Sequence, residues 1–384
     1  MSKTLTNEIL YKADLLKHKG NLDKANELYL RVIRKFPKNK RVFDNLVYIN
    51  ENLASKNANN LINLYNSGDF ENVLNLVNKL ITRLPYSYTI LNIKGASLFA
   101  QNKFDEALVV FKKIISINPN FYEAYFNIGA ILQKWDDVEQ SIFYYKKAQS
   151  INPNTANIYY NIGVLENRRG NLKESLYHFN KAIQINPNFF QAYNDLGNLY
   201  FQNSKLSLAI KNFQIALKVN PNFVDALYNL GIVFHTMGDI DKAIENYKKC
   251  LDIDNNYEKA IFNLASAYKQ KKDFNLAIDL YNKSLKLNPN NSNAHFNIGI
   301  IFNDIQNYKQ AIESYFNALE INPNCAKTMN NIGTAFEALG HTEKAIEYYL
   351  GAIKNKPDLY ETYNNIGVAL TQKKISKKNE NIKK

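Results

Sequence analysis

The chain has 384 residues, of which 46% are hydrophobic and 22% are charged, so it can form a sizeable core and lacks the composition of a disordered protein. Only 14 glycines and 9 prolines occur, which argues against a turn-rich all-β protein and favours long helices. The net charge of +13 lies mostly at the two ends, because residues 54–372 carry 31 basic and 28 acidic side chains. A nearly neutral body lacks the basic face that nucleic-acid-binding proteins show.

Compartment and membrane signals are absent from the sequence. No apolar run approaches the length of a membrane-spanning helix, and the segment MSKTLTNEIL at the start has no hydrophobic signal stretch. Two cysteines, Cys250 and Cys325, cannot form a disulfide framework and suit a reducing compartment. We therefore expect a cytoplasmic protein.

A period of 34 residues organises the chain. Prolines mark it at positions 85, 119, 153, 187, 221, 289, 323 and 357, with Asn255 in the remaining slot. Each unit carries an apolar stripe at helical spacing, then a turn, then a second stripe with a small residue, an aromatic residue and another small residue. The pattern predicts antiparallel helix pairs that must stack on neighbouring pairs to bury their apolar faces.

In chain order, the first predicted unit is residues 6–39, followed by an extra segment, 40–53, which resembles a first helix without its second helix. A divergent unit, 54–87, comes next, and its polar stretch Ser55–Asn60 leads us to expect a hinge. Eight regular units then occupy residues 88–359. A further first helix is predicted over 360–372 as a C-terminal capping helix, and 373–384 form a lysine-rich tail.

These columns resemble the tetratricopeptide repeat (TPR) family over about nine-tenths of the chain, as in YEAYFNIGAIL…SIFYYKKAQSINP of residues 122–153. The resemblance implies an all-α fold, a right-handed superhelical solenoid of antiparallel helix pairs. It also implies that the first helices line a concave groove.

The sixth residue of each unit, called the ladder position, is almost always asparagine. Its amide can donate to a carbonyl and accept from an N–H, so a regular ladder suits an extended peptide backbone. The ladder is similar to that of the TPR arm of O-GlcNAc transferases; a purely structural bond to the neighbouring repeat is the alternative. The ladder residues are Asn127, Asn161, Asp195, Asn229, Asn263, Asn297, Asn331 and Asn365.

Two further residues complete the predicted peptide-binding set. Some TPR proteins clamp a terminal carboxylate with five polar residues, and Asn198, Asn229 and Lys259 match three of them. The two other cationic positions hold Asn194 and Asn263, so most of the charge for a carboxylate is missing and we do not expect a working clamp.

No catalytic pattern, phosphate loop or metal-type spacing occurs in the sequence, so we predict a non-enzyme without metal or cofactor. The preferred hypothesis is a protein–protein interaction scaffold that binds an extended peptide or a partner protein in the groove. The alternative is the substrate-recognition arm of an O-GlcNAc transferase-like enzyme whose catalytic domain lies elsewhere. No small-molecule substrate is evident, and we do not expect the lysine-rich tail to bind nucleic acid or membrane.

Overall fold

The computed structural model describes the backbone of residues 3–382 and the side chains of residues 4–375, and every regular element in that part of the chain is an α-helix. Most helices are 13 or 14 residues long, close to the average for globular proteins. The helices are α1 Lys3–His18, α2 Leu22–Ile33, α3 Lys40–Asn66, α4 Phe70–Arg83, α5 Tyr88–Ala100, α6 Phe104–Ile117, α7 Tyr122–Lys134, α8 Val138–Ile151, α9 Ala156–Arg168, α10 Leu172–Ile185, α11 Phe190–Gln202, α12 Leu206–Val219, α13 Val224–Thr236, α14 Ile240–Ile253, α15 Glu258–Gln270, α16 Phe274–Leu287, α17 Ser292–Asp304, α18 Tyr308–Ile321, α19 Ala326–Ala338, α20 Thr342–Asn355 and α21 Tyr360–Ile382.

The chain divides into two compact units, Met1–Asn188 and Phe189–Lys384. The first unit contains α1 to α10 and the second contains α11 to α21. From α5 to α20, each first helix packs most extensively against the second helix that follows it, as in α7 with α8 and α19 with α20. This pairing is typical of a TPR solenoid and confirms the all-α fold class.

Close packing within a pair depends on a glycine of the first helix and a ring of the second. A Cβ atom added to Gly231 would lie 2.5 Å from the ring of Tyr247, which is fully buried. The same relation joins Gly95 to Phe111, Gly129 to Tyr145, Gly163 to Phe179, Gly197 to Phe213, Gly299 to Tyr315 and Gly333 to Tyr349. The sequence columns therefore correspond to a real contact, in which the absence of a side chain makes room for an aromatic ring.

The turn between the two helices of a pair contains one residue with a positive φ angle. Gly238 has φ +80°, and the backbone N–H groups of Gly238 and Asp239 donate to carbonyls of the last turn of α13. Asp239 then caps the N-terminus of α14, since its carboxylate accepts the backbone N–H of Lys242 at 3.3 Å. Gly170 and Gly340 occupy the same turn position in their repeats and also have the left-handed conformation.

The joint between successive pairs is built around the recurring Asn-Pro. The side-chain oxygen of Asn220 accepts the backbone N–H of Asn222 at 3.2 Å, closing a short loop around Pro221. Equivalent bonds form at Asn118, Asn152, Asn186 and, with a carboxylate, Asp254. The same local turn therefore separates one pair from the next.

The segment around residues 40–66 differs from the sequence-based expectation. We expect a hinge between the extra segment 40–53 and the unit 54–87, but a single continuous helix, α3, runs through both. Residues 40–66 contain neither glycine nor proline, so nothing in the backbone interrupts the helix. The buried side chains Leu46, Ile49, Leu53 and Leu61 keep both halves against the core.

The last helix, α21, is also longer than predicted. The sequence places it at 360–372, whereas the structure continues it to Ile382 through most of the lysine-rich segment. Residues 383–384 and the side chains of 376–384 lie outside the described part of the chain. A Cβ atom added to Gly367 would meet no atom within 4 Å, and Tyr363, Val368 and Leu370 are exposed, so no ring covers this first helix.

Candidate functional site

The first helices of successive pairs contact one another directly, for example α5 with α7, α13 with α15 and α15 with α17. Each unit therefore has one layer of first helices. The fifth and sixth residues of each repeat lie on these helices, which places the predicted ladder on this layer. Most ladder side chains are partly buried.

Several ladder asparagines are hydrogen-bonded to the preceding repeat. In each case the side-chain amide donates to the fifth residue of the repeat before it, 35 positions earlier in the chain. The pairs are Asn127 with Asn92 Oδ1 at 3.4 Å, Asn229 with Asn194 Oδ1 at 3.0 Å, Asn263 with the Tyr228 hydroxyl at 3.2 Å, and Asn365 with Asn330 Oδ1 at 3.1 Å. These four asparagines join neighbouring repeats, and each retains a second N–H and a carbonyl oxygen.

Three other ladder asparagines lack this bond because the fifth residue of the preceding repeat is phenylalanine. Asn161, Asn297 and Asn331 follow Phe126, Phe262 and Phe296, whose rings carry no acceptor oxygen. Asn297 donates instead to the backbone carbonyl of Asn293 at 2.9 Å, within its own helix. The ladder therefore contains two classes of asparagine, distinguished by whether the preceding repeat holds the amide.

The remaining predicted site residues lie on the second unit. Asp195 is partly buried, and its carboxylate accepts the Asn194 amide at 3.2 Å. The fifth and sixth residues of that repeat are therefore hydrogen-bonded to each other. Asn198 is partly buried on α11, and Lys259 is exposed on α15. Asn194 is buried, and its side-chain oxygen accepts the amide of Asn229.

Rings at the fifth position pack against the aromatic residue of the second helix. The ring centroids of Phe262 and Tyr281 are 5.4 Å apart, and those of Phe296 and Tyr315 are 5.8 Å apart. Both phenylalanines are only partly buried, so the rings contribute to packing and to the surface at once.

Several charged groups on the first helices are hydrogen-bonded to neighbouring side chains. Asp225 accepts the hydroxyl of Tyr257 at 2.9 Å, and Glu337 accepts that of Tyr349 at 2.8 Å. Lys269 donates to the Asn297 carbonyl oxygen, and burial lowers the pKa of its ammonium group while Asp304 opposes the shift. The sequence alone did not reveal these bonds, because each partner lies about one repeat away or on the other helix of the pair.

The thiol of Cys250 and the imidazole of His178 are packed into the core. Burial raises the pKa of the Cys250 thiol to about 12, so the thiolate is disfavoured. His178 is buried against the rings of Tyr159 and Tyr177. Among the described residues, no group of three His, Cys, Asp or Glu side chains could hold a metal ion. None of the helices described is both long enough and apolar enough to cross a membrane.

The repeated helix pairs and the joints between them define a helical-repeat protein. Family models of the tetratricopeptide repeat match most of the chain, and the chain belongs to this family. The matched segments are 9–39, 122–155, 224–257, 258–291, 292–325 and 326–359, together with 95–134, 165–204 and 197–238, for which the model is described as TPR repeat.

Solved structures support the fold. The chain is similar to a chain in the crystal structure of the APC/C hetero-tetramer Cut9–Hcn1, with a TM-score of 0.51 and 18% identity over 95% of this chain and 76% of that one. It also matches MamA (TM-score 0.41, 26% identity, 45% of this chain and 94% of that one). A third match is YrrB, described as a TPR protein with an unusual peptide-binding site (TM-score 0.43, 23% identity, 51% of this chain and 97% of that one). No curated protein sequence matches this chain.

Proposed function

We propose that this protein is a non-catalytic cytoplasmic scaffold that binds an extended peptide, or an extended segment of a partner protein, in the groove formed by its first helices. The observation that carries the proposal is the ladder of amides at a constant register on successive first helices. A peptide backbone offers an N–H and a C=O at regular intervals, and asparagine can bind both. Recognition of this kind depends little on peptide side chains.

The two classes of ladder asparagine have different roles in this proposal. Asn229 and Asn263 already donate to the preceding repeat, so they stabilise the packing of neighbouring pairs. Asn297 and Asn331 lack that bond, and they lie in consecutive repeats of the same unit. Binding of a peptide to these two amides would therefore not break a hydrogen bond to the fifth residue of the preceding repeat, although the Asn297 carbonyl oxygen accepts from Lys269 of that repeat.

The experiment compares two matched double variants, Asn297→Ala/Asn331→Ala and Asn229→Ala/Asn263→Ala. A peptide selected from a random displayed library against the wild-type protein serves as the probe, and calorimetry measures its affinity. We expect the first variant to bind about tenfold more weakly, because two hydrogen bonds to a peptide backbone are lost, and to lose less stability than the second variant. The second variant is expected to lose stability as well.

Unchanged affinity in the Asn297→Ala/Asn331→Ala variant would contradict the proposal, because binding would then lie elsewhere. The alternative function, the substrate-recognition arm of an O-GlcNAc transferase-like enzyme, is tested separately. It predicts that a glycosyltransferase co-precipitates with the wild-type chain from native lysate and is lost from the same variant.

A further inference from the structure

Three exposed apolar side chains form a row on the second helices of the first unit. Val109 on α6, Phe143 on α8 and Tyr177 on α10 occupy the same register position, 34 residues apart. Their exposed fractions are 68%, 51% and 51%, respectively, so the row lies on the surface. We call these three residues the outer row.

The fold itself does not require apolar residues at this position. The buried faces of the same helices are filled by Phe111, Tyr145 and Phe179, two residues further along and therefore about 200° around the helix. In the second unit the equivalent position is charged in every repeat, at Lys211, Glu245, Asp279, Glu313 and Glu347. Single exposed apolar residues are ordinary, but three in register on consecutive repeats form a patch.

Charges of opposite sign flank the two edges of the outer row. One turn before it along each helix, the exposed carboxylates are Asp105, Glu106, Glu139 and Glu174, with Lys173 as the exception on α10. Glu139 is ion-paired with Arg169 at 3.0 Å. One turn after the row, the lysines are Lys112, Lys113, Lys146, Lys147 and Lys181. Residues three and four apart share a helix face, so these charges lie on the same face as the row.

The lysines on this edge lie close to the outer row and to the next second helix. The ammonium group of Lys147 lies 5.6 Å from the ring centroid of Phe143. Lys146 on α8 is near enough to α10 to contribute to the lowered pKa of His178, which is mainly due to burial. The lysines of successive helices therefore follow the row from one repeat to the next.

We propose that the outer row binds an amphipathic α-helix of a partner protein that lies across α6, α8 and α10. An α-helix presents the same face about every seven residues, a rise of about 10.5 Å. Apolar residues at positions i, i+7 and i+14 of such a helix point the same way, so one can meet each member of the row. In an extended strand, by contrast, residues three positions apart span a similar distance but point to opposite faces.

Charge complementarity selects a protein helix over a polyanion. The partner helix carries acidic residues along the edge that faces the lysines and basic residues along the edge that faces the carboxylates. Nucleic acid and anionic lipid would match the lysine edge alone. This surface is on the second helices, so the proposal does not depend on peptide binding by the ladder.

The test uses the full chain and a synthetic helix-stabilised peptide with leucines at i, i+7 and i+14, glutamates on one flank and lysines on the other. Fluorescence anisotropy compares wild type with Val109→Glu/Phe143→Glu/Tyr177→Glu. The second unit already has Glu at this register position in three repeats, so the variant is expected to fold, and circular dichroism checks its helicity. Leu276→Glu, an exposed leucine outside the row, is the matched control.

We expect binding to the wild type and to the Leu276→Glu control, and binding about tenfold or more weaker to the triple variant. A peptide with its acidic and basic flanks exchanged is expected to bind several-fold more weakly than the original. The proposal is overturned if no binding occurs at about 100 μM peptide, or if the triple variant binds equally well. It is also overturned if the row instead binds polyuridylate RNA or phosphatidylserine vesicles, with this binding lost in the triple variant.

Discussion

His178 is buried on α10, at a register position that other repeats fill with valine, tyrosine, leucine, asparagine or serine. Its Nε2 atom lies 3.9 Å from a carboxylate oxygen of Glu174, too long for a strong bond, and burial lowers its pKa. Glu174 and Glu166 act against that shift, whereas Lys146 adds to it. A neutral imidazole is therefore the form that the core accommodates.

This single residue leads to a pH-dependent prediction. Because the pKa is lower in the folded state than the ordinary value near 6.5, the unfolded chain takes up the proton first as the pH falls. The free energy of unfolding should therefore decrease as the pH is lowered through about 6.5 and level off below the folded-state pKa. Replacement of His178 by leucine, the residue at 280 in the same register, is expected to reduce this decrease.

Urea unfolding at pH 8, 7, 6 and 5 measures the effect. The difference between wild type and His178→Leu at pH 8 reports packing alone, because the imidazole is neutral in both states there. Part of the slope will remain in the variant, since burial also lowers the pKa of His235 and of His295. An identical pH dependence of the two proteins would show that His178 has no part in acid sensitivity.

At the scale of a helix pair, the contact between a glycine and a ring sets how closely the two helices approach. The glycine of the first helix and the aromatic residue of the second helix recur at fixed positions of the repeat, and the structure shows that they touch. Gly367 on α21 has the same register, but no ring lies against it. The two environments allow the contact to be tested with one kind of substitution.

Alanine at Gly231 is expected to destabilise the protein by about 1–3 kcal/mol, because its Cβ would lie 2.5 Å from the buried ring of Tyr247. Alanine at Gly367 is expected to be neutral or to stabilise the protein by up to about 1 kcal/mol, since alanine favours the helix and meets no neighbour. Chemical denaturation of both variants measures the difference. Equal effects at the two sites would mean that the ring contact does not limit the helix separation.

The helix pairs could be predicted because each depends on a pattern within 34 residues. The hinge expected near Ser55–Asn60 was wrong as a break in the helix, because a polar, asparagine-rich composition does not end a helix that has apolar anchors on both sides. Helix propensity differs by only a few tenths of a kcal/mol among ordinary residues, so buried leucines outweigh it. The extension of α21 beyond residue 372 was missed for a similar reason: lysine is a good helix former.

The candidate site was less accessible to sequence reasoning than the fold. Its register positions could be identified, but the bond from Asn263 to the Tyr228 hydroxyl, like that from Asn229 to Asn194, joins residues 35 positions apart. The fifth and sixth positions of the repeats must be compared to tell which ladder asparagines are hydrogen-bonded to the preceding repeat. A phenylalanine in the fifth column of the preceding repeat was the available signal, and it becomes interpretable only once the contact is known.

At the scale of the whole molecule, stability is distributed repeat by repeat. Each helix pair contacts its neighbours in the chain, so a loss of packing should have a local effect. Replacing Phe111, which is fully buried in the first unit, by alanine is expected to cost about 3–5 kcal/mol locally.

Hydrogen-exchange mass spectrometry measures where protection is lost in Phe111→Ala. We expect faster exchange in α5 to α8 and unchanged exchange in α19 and α20, which belong to the second unit. The control is Tyr349→Ala, the equivalent substitution in the second unit. It should speed exchange in α19 and α20 and leave α5 to α8 unchanged. A uniform increase across both units would show instead that the array unfolds as one cooperative body.

The Asn-Pro joint affects how the number of repeats in the gene can change. It is closed by a bond from the asparagine oxygen to the backbone two residues later. The joint is closed by residues next to one another in the chain, as at Asn118 and Asn220, so each copy carries its own connector. Unequal recombination that deletes or duplicates 34 codons would therefore join one connector to an equivalent one. The length of the array can change in whole repeats while every junction keeps its geometry.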